Sequence, residues 1–131
     1  MKAFDVRFLS VEDVLAIHES TIAVEGGQSG LRDTGLLESA TLMPQQQFGG
    51  DYLHADTAAM AAAYLFHLSQ NHPFLDGNKR VAALSALVFL RVNGVESLPD
   101  PESLEGMTMA VASSEVGKSE LTKWMRQQIS R

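Results

Sequence analysis

From Val81 to Leu90 the chain reads VAALSALVFL, a run in which Ser85 alone is polar. A helix built on such a run is apolar on nearly every face, so it needs neighbours all round rather than one packing partner. The run is about half the ~20 residues that a bilayer crossing takes. A buried helix at the centre of a bundle is the remaining solution, and Asn93-Gly94 supplies its C-terminal stop.

The flanking sequence supplies the rest of the bundle. Ser10 and Asp13 have the spacing of a capping box, and Val11, Val14, Leu15, Ile17 and Ile22 then recur at helical intervals until Gly26-Gly27. Asp33 caps a second helix through Leu36, Leu37, Ala40 and Met43 up to Pro44. Between Gln45 and Ala55 the period changes. Gly49-Gly50 separates Gln47-Phe48 from Asp51-Tyr52, as in a hairpin with a two-residue turn. A lone hairpin is marginally stable, so it packs on the domain or works as a movable flap. Asp56 caps an alanine-rich helix ending near Asn71, Asp100-Pro101 opens another, and Ser119 is the expected cap of a last one carrying Leu121, Trp124, Met125 and Ile129. The fold class is all-α, a helical bundle with a central buried helix and a small β-hairpin flap.

Composition narrows the chemistry. At 131 residues the chain has the size of one domain, taken here as residues 1–131 with the flap at 45–55 and a motif loop at 72–80. Ten Lys and Arg against sixteen Asp and Glu leave a net charge of −6. General attraction to nucleic acid or to an anionic membrane is therefore disfavoured, and any anion site must be local. The absence of Cys removes disulfides, thiolate metal sites and thiol nucleophiles. The start, MKAFDVRFLS, interrupts its apolar residues with Asp5 and Arg7 and lacks the apolar core of a secretion signal, so the expected location is the cytoplasm.

The segment His72-Pro73-Phe74-Leu75-Asp76-Gly77-Asn78-Lys79-Arg80 places charges against ordinary helix economics. Lys79 and Arg80 open the most apolar helix, where cations oppose the macrodipole. A bound anion resolves that conflict: backbone donors at Gly77 and Asn78, the helix dipole, an ammonium and a guanidinium together describe a phosphate pocket. Asp76 has the wrong charge for phosphate and the right one for Mg²⁺, which binds one or two carboxylates plus phosphate oxygens. His72 sits between two helices with Pro73 biasing it toward extended backbone, a place from which its imidazole can act as general base toward a hydroxyl. Phe74 is the apolar anchor of the loop. His18, His54 and His67 are read as structural or exposed, and Arg91 as complementing a helix C-terminus.

HPFLDGNKR resembles the Fic signature H-x-F-x-D/E-G-N, and the Lys-Arg that follows makes it similar to the Doc (death-on-curing) branch. GGQSGLRDTGLLESA, the Gly49-Gly50 hairpin and ALSALVFLRVNG extend the likeness over most of residues 8–128. The resemblance implies a Fic-type fold in which His72 is the base, Asp76 holds Mg²⁺, and Gly77 and Asn78 hold phosphates. Adenylylating members read G-N-G-R-x-x-R, whereas this chain has Lys79 for the third-position Gly and Ala83 for the second Arg. The Doc variant implies transfer of the γ-phosphate of ATP to a protein hydroxyl, with Lys79 and Arg80 steadying the triphosphate and elongation factor Tu as the known kind of target. The implied setting is a toxin restrained by an antitoxin on a separate chain. Nucleotidyl transfer from the same site and a catalytically silent peptide-binding module are the alternatives. In this fold the flap pairs with an extended target segment, and Phe48, Tyr52 and Leu53 are its docking side chains. Thr21 to Gly26 also fits the family's short inhibitory pattern S/T-x-x-x-E-G/N, but it lies in the first helix of the bundle and is assigned to packing.

Overall fold

A computed structural model describes residues 5–130. Six helices surround one core: α1 Val11–Glu25, α2 Thr34–Leu42, α3 Thr57–Asn71, α4 Asn78–Val92, α5 Pro101–Ala112 and α6 Lys118–Ile129. A short 3₁₀ turn, Met43–Gln45, follows α2 and leads into the hairpin of β1 Gln47–Phe48 and β2 Asp51–Tyr52. No helix among the described residues is long and apolar enough to cross a membrane.

Four helix starts are fixed by their own side chains. Ser10 and Asp13 form the reciprocal capping box of α1, and Asp33, Asp56 and Asp100 accept from Leu36, Ala59 and Ser103 backbone N–H groups. Each such cap is worth about 1 kcal/mol. The start of α6 departs from expectation: Gly117 is its cap residue, no side chain caps it, and Ser119 lies within the first turn.

The central helix is α3, not the apolar run in α4. Met60, Ala61, Ala62, Ala63, Tyr64 and Leu65 of α3 are wholly buried, and α2, α4, α5 and α6 pack around it. Small alanine side chains let neighbours close in from every side, so burial follows residue volume rather than apolarity alone. Helix α4 packs along α3 and also against α1 and α5; its Val81, Ala82, Ala86, Phe89 and Leu90 are buried, while Leu84 stays 38% exposed. The segment before α1 is pinned by the Tyr64 phenol, which accepts from the Leu9 N–H at 2.8 Å, and by Phe8, which stacks on Phe89.

The hairpin is antiparallel, with Gln47 opposite Tyr52 and Phe48 opposite Asp51. Gly49 and Gly50 both take positive φ, 61° and 89°, as a tight two-residue turn requires. The three side chains expected to dock a target divide into two kinds. Phe48 and Leu53 are 83% and 60% exposed, but the Tyr52 ring packs edge-on against Phe8 at 5.5 Å and anchors the flap to the core.

Candidate active site

The motif loop joins α3 to α4, and its backbone is set by unusual torsions at both ends. His72, the cap residue of α3, has φ 48° and ψ 56°. This is left-handed backbone, not the extended conformation that the following proline favours, and for a residue with a Cβ it costs about 1–3 kcal/mol. Contacts from a distant loop outweigh the local preference. Pro73 O accepts from the N–H groups of Arg32 (2.7 Å) and Asp33 (3.0 Å), Leu75 N–H donates to Gly30 O (3.1 Å), and Leu31 bridges Phe74. At the other end Gly77, also left-handed at φ 79°, turns the chain into α4.

Within the loop, the Asn78 side chain acts as a brace. Its Oδ1 accepts from Phe74 N–H (2.9 Å) and its Nδ2 donates to Phe74 O (3.0 Å), so the side chain is tied to the loop while the Asn78 backbone N–H stays available for a ligand. Phe74 is the buried anchor that the sequence suggests, 2% exposed, and its ring stacks on His18 with centroids 3.8 Å apart. His18 Nε2–H donates to the Asp76 carbonyl at 2.8 Å, which fixes its tautomer. A buried histidine of α1 thus props the loop from below.

The Asp76 carboxylate is held open to solvent by two backbone donors, Gly77 N–H on Oδ1 (2.9 Å) and Gln28 N–H on Oδ2 (3.1 Å). The donor from Gln28 requires close backbone approach at Gly27, where a Cβ would lie 2.7 Å from Asp76 Oδ2. A carboxylate offers about four lone-pair sites, so this one keeps acceptor capacity for a cation. No cluster of three or more His, Cys, Asp or Glu is present among the described residues. A single carboxylate of this kind could hold a hard ion only together with oxygens from elsewhere, such as those of a bound phosphate.

Helix α4 begins without a side-chain cap, and its first closing bond is from Val81 N–H to Gly77 O (3.0 Å). The N–H groups of Asn78, Lys79 and Arg80 precede that bond and have no helical acceptor. Lys79 is exposed, and Arg80 pairs with Glu25 at 3.1 Å. The segment assigned above to packing therefore also sends a carboxylate to the motif helix. A cavity of about 550 Å³ opens between α1, α4 and α5, lined by Val24, Leu84, Leu87, Leu104 and Met109 together with Lys79, Arg80 and Glu25. His72 and Asp76 lie outside its lining.

The structure brings His72, Asp76, Gly77, Asn78, Lys79 and Arg80 together on one loop and helix start, and sets Phe48 and Leu53 apart on the flap. Sequence reasoning gave no role to Gly27, Gln28 and Arg32, while the structural reading of His18 holds. The glycine-rich stretch GGQSGLRD was the signal for those three: Gly27 and Gly30 have φ of 113° and 126°, and both lie against the motif loop. The other two histidines form a separate group. His67 Nε2 accepts from Lys118 Nζ at 2.9 Å, and burial, then the positive charge of Lys118, then His54 lower its pKa to about 4.

The family model for the Fic/DOC family matches residues 8–90. The chain is 34% identical over 121 residues to the protein kinase doc of Escherichia phage P1, covering 92% of this chain and 94% of that protein. It is 41% identical over 94 residues to the toxin Doc of Mycolicibacterium smegmatis, covering 72% of this chain and 70% of the relative. With the signature loop, the uncapped motif helix and the flap all in place, this chain belongs to the Fic/Doc family.

Proposed function

We propose that this protein is the toxin of a toxin–antitoxin pair and a Mg²⁺-dependent kinase that transfers the γ-phosphate of ATP to a hydroxyl of a target protein. One observation carries the reading: three N–H groups without helical acceptors, at Asn78, Lys79 and Arg80, open α4 directly after an exposed carboxylate at Asp76, on the loop that begins with the exposed His72. Donors at a helix start bind phosphate, and the Lys79 ammonium adds charge where the transferring group develops it. The names of the relatives, a protein kinase and a toxin, support the same class of activity. Elongation factor Tu is the proposed target, a separate antitoxin chain the proposed restraint, and the cytoplasm the proposed location.

In the proposed step His72 takes the proton of the target hydroxyl as its oxygen bonds to the γ-phosphorus, and the bond from that phosphorus to the β,γ-bridging oxygen breaks to release ADP. Asp76 would hold Mg²⁺, which when bound neutralises charge on the triphosphate. The backbone of α4 orients the phosphates, and Asn78 keeps the loop rigid through Phe74. Phe48 and Leu53 are proposed to meet the target segment.

The test is incubation of the protein, Mg²⁺ and elongation factor Tu with ATP labelled at the α- or the γ-phosphate. The expected result is γ-label alone on the target, lowered by about 10²–10⁴-fold in His72→Ala. Label from α-labelled ATP would instead make the activity nucleotidyl transfer, and capture of target without either label would leave a binding module.

A further inference from the structure

We propose that Arg32, an exposed residue of the loop before α2, is the positioning residue that fixes the direction of His72. The inference rests on the proposed role of His72 as proton acceptor. A helix C-terminus leaves its last carbonyls without partners. At the end of α3, two of them converge on a single guanidinium: Arg32 Nη2 donates to Asn71 O at 2.9 Å, and Nε donates to His72 O at 2.7 Å. The next carbonyl, of Pro73, accepts from the Arg32 backbone N–H at 2.7 Å.

The geometry has a specific consequence. The Asn71 carbonyl belongs to the peptide plane before the His72 Cα, and the His72 carbonyl to the plane after it. The angle between those planes is set by φ and ψ of His72. A guanidinium is flat and rigid, so one side chain that bonds both carbonyls fixes both torsions at once. It thereby holds the left-handed backbone that His72 does not favour. The direction of the Cα–Cβ bond, and so the place from which the imidazole reaches a hydroxyl, follows from that backbone. A lysine retains the charge but has no fork, so it would not lock the two planes together. Arg32 touches neither Asp76 nor the start of α4 in the hydrogen bonds it makes, so its effect belongs to the proton acceptor rather than to nucleotide binding.

The experiment compares the full chain with Arg32→Met and Arg32→Lys by two readouts. The first is the intraresidue amide-to-Hα NMR cross-peak of His72, which is strong when φ is positive and weak when it is negative. The second is kcat and KM for ATP in phosphoryl transfer to the target. Arg32→Met is expected to weaken the cross-peak and lower kcat by about 10- to 100-fold, with KM for ATP within about twofold of the parent. Arg32→Lys is expected to lose the cross-peak too, and it serves as the reading if the Met variant does not fold. A cross-peak that stays strong in the variants, an unchanged kcat, or a rise in KM alone would overturn the proposal. If the parent protein transfers no phosphate at all, the functional reading fails on its own. The cross-peak then decides whether Arg32 sets His72.

Discussion

Gly27→Ala should damage the candidate metal ligand by crowding it from a neighbouring loop. The added Cβ would stand 2.7 Å from Asp76 Oδ2, 3.3 Å from Asp76 Cγ and 3.2 Å from Ile22 Cδ1, so it is pressed from two sides. The backbone at φ 113° is itself a region that alanine avoids, at about 1–3 kcal/mol. Relief comes only by turning the Asp76 carboxylate away, which gives up the bond from Gln28 N–H, or by moving the loop. A hydrogen bond to a partly solvated carboxylate adds about 1 kcal/mol. The total is about 2–4 kcal/mol, and for a domain of this size that lowers Tm by roughly 10 °C. The assay is thermal unfolding paired with calorimetric titration of ATP in the presence and absence of Mg²⁺. The expected outcome is lower stability together with a smaller Mg²⁺ contribution to ATP affinity. A variant within about 2 °C of the parent and with the same Mg²⁺ contribution would refute the claim that Gly27 is required for the Asp76 geometry.

Three further outcomes are expected. Glu25→Gln frees the Arg80 guanidinium; because the pair is exposed and worth about 0.2–1 kcal/mol, ATP affinity should rise by no more than about fivefold at low salt, with a smaller gain at high salt, as titration calorimetry would show. Phe48→Ala on the flap should leave the urea midpoint almost unmoved, within about 0.5 kcal/mol, yet reduce modification of the target protein, measured as initial rate against target concentration. His67, with its folded pKa near 4 against an ordinary 6.5, is neutral in the fold while the unfolded chain binds a proton between those values. Stability should therefore fall as pH drops from about 6.5 to 4. His67→Gln should flatten the fall, with His54, lowered by burial and then by Lys118, carrying part of the slope that remains; urea midpoints across that range provide the check.

Legibility tracked the distance over which each feature is decided. The caps at Ser10, Asp33, Asp56 and Asp100 were readable because each side chain bonds a backbone group three residues away. The motif was readable because His72 to Arg80 is contiguous. The His72 torsion was not, since the local rule set by Pro73 is overridden from Arg32, forty positions away. The central helix was misplaced for a related reason: Leu- and Val-rich α4 is the more apolar segment, but Ala-rich α3 is the one small enough to be enclosed by four others. Tyr52 read like its flap neighbours until Phe8, brought in from the segment before α1, claimed one edge of its ring.

The loop residues of the site and its Arg80 side chain are held in different ways. Asp76 is held by two backbone N–H groups, Phe74 by the Asn78 amide and the stacked His18 ring, and Pro73 by two donors from the neighbouring loop. Groups fixed in this way need no reorganisation when charge develops, which is where electrostatic stabilisation is most effective. Arg80 differs, because its partner Glu25 is an exposed carboxylate and both side chains are about half open to water. In the proposed nucleotide complex, exchanging that carboxylate for a phosphate oxygen would give up an interaction worth less than about 1 kcal/mol for a charge-assisted, fork-shaped contact. The arrangement thus leaves Arg80 to a weak surface pair, which the proposed triphosphate would remake cheaply, while the backbone of His72 and the carboxylate of Asp76 stay where the surrounding hydrogen bonds have set them.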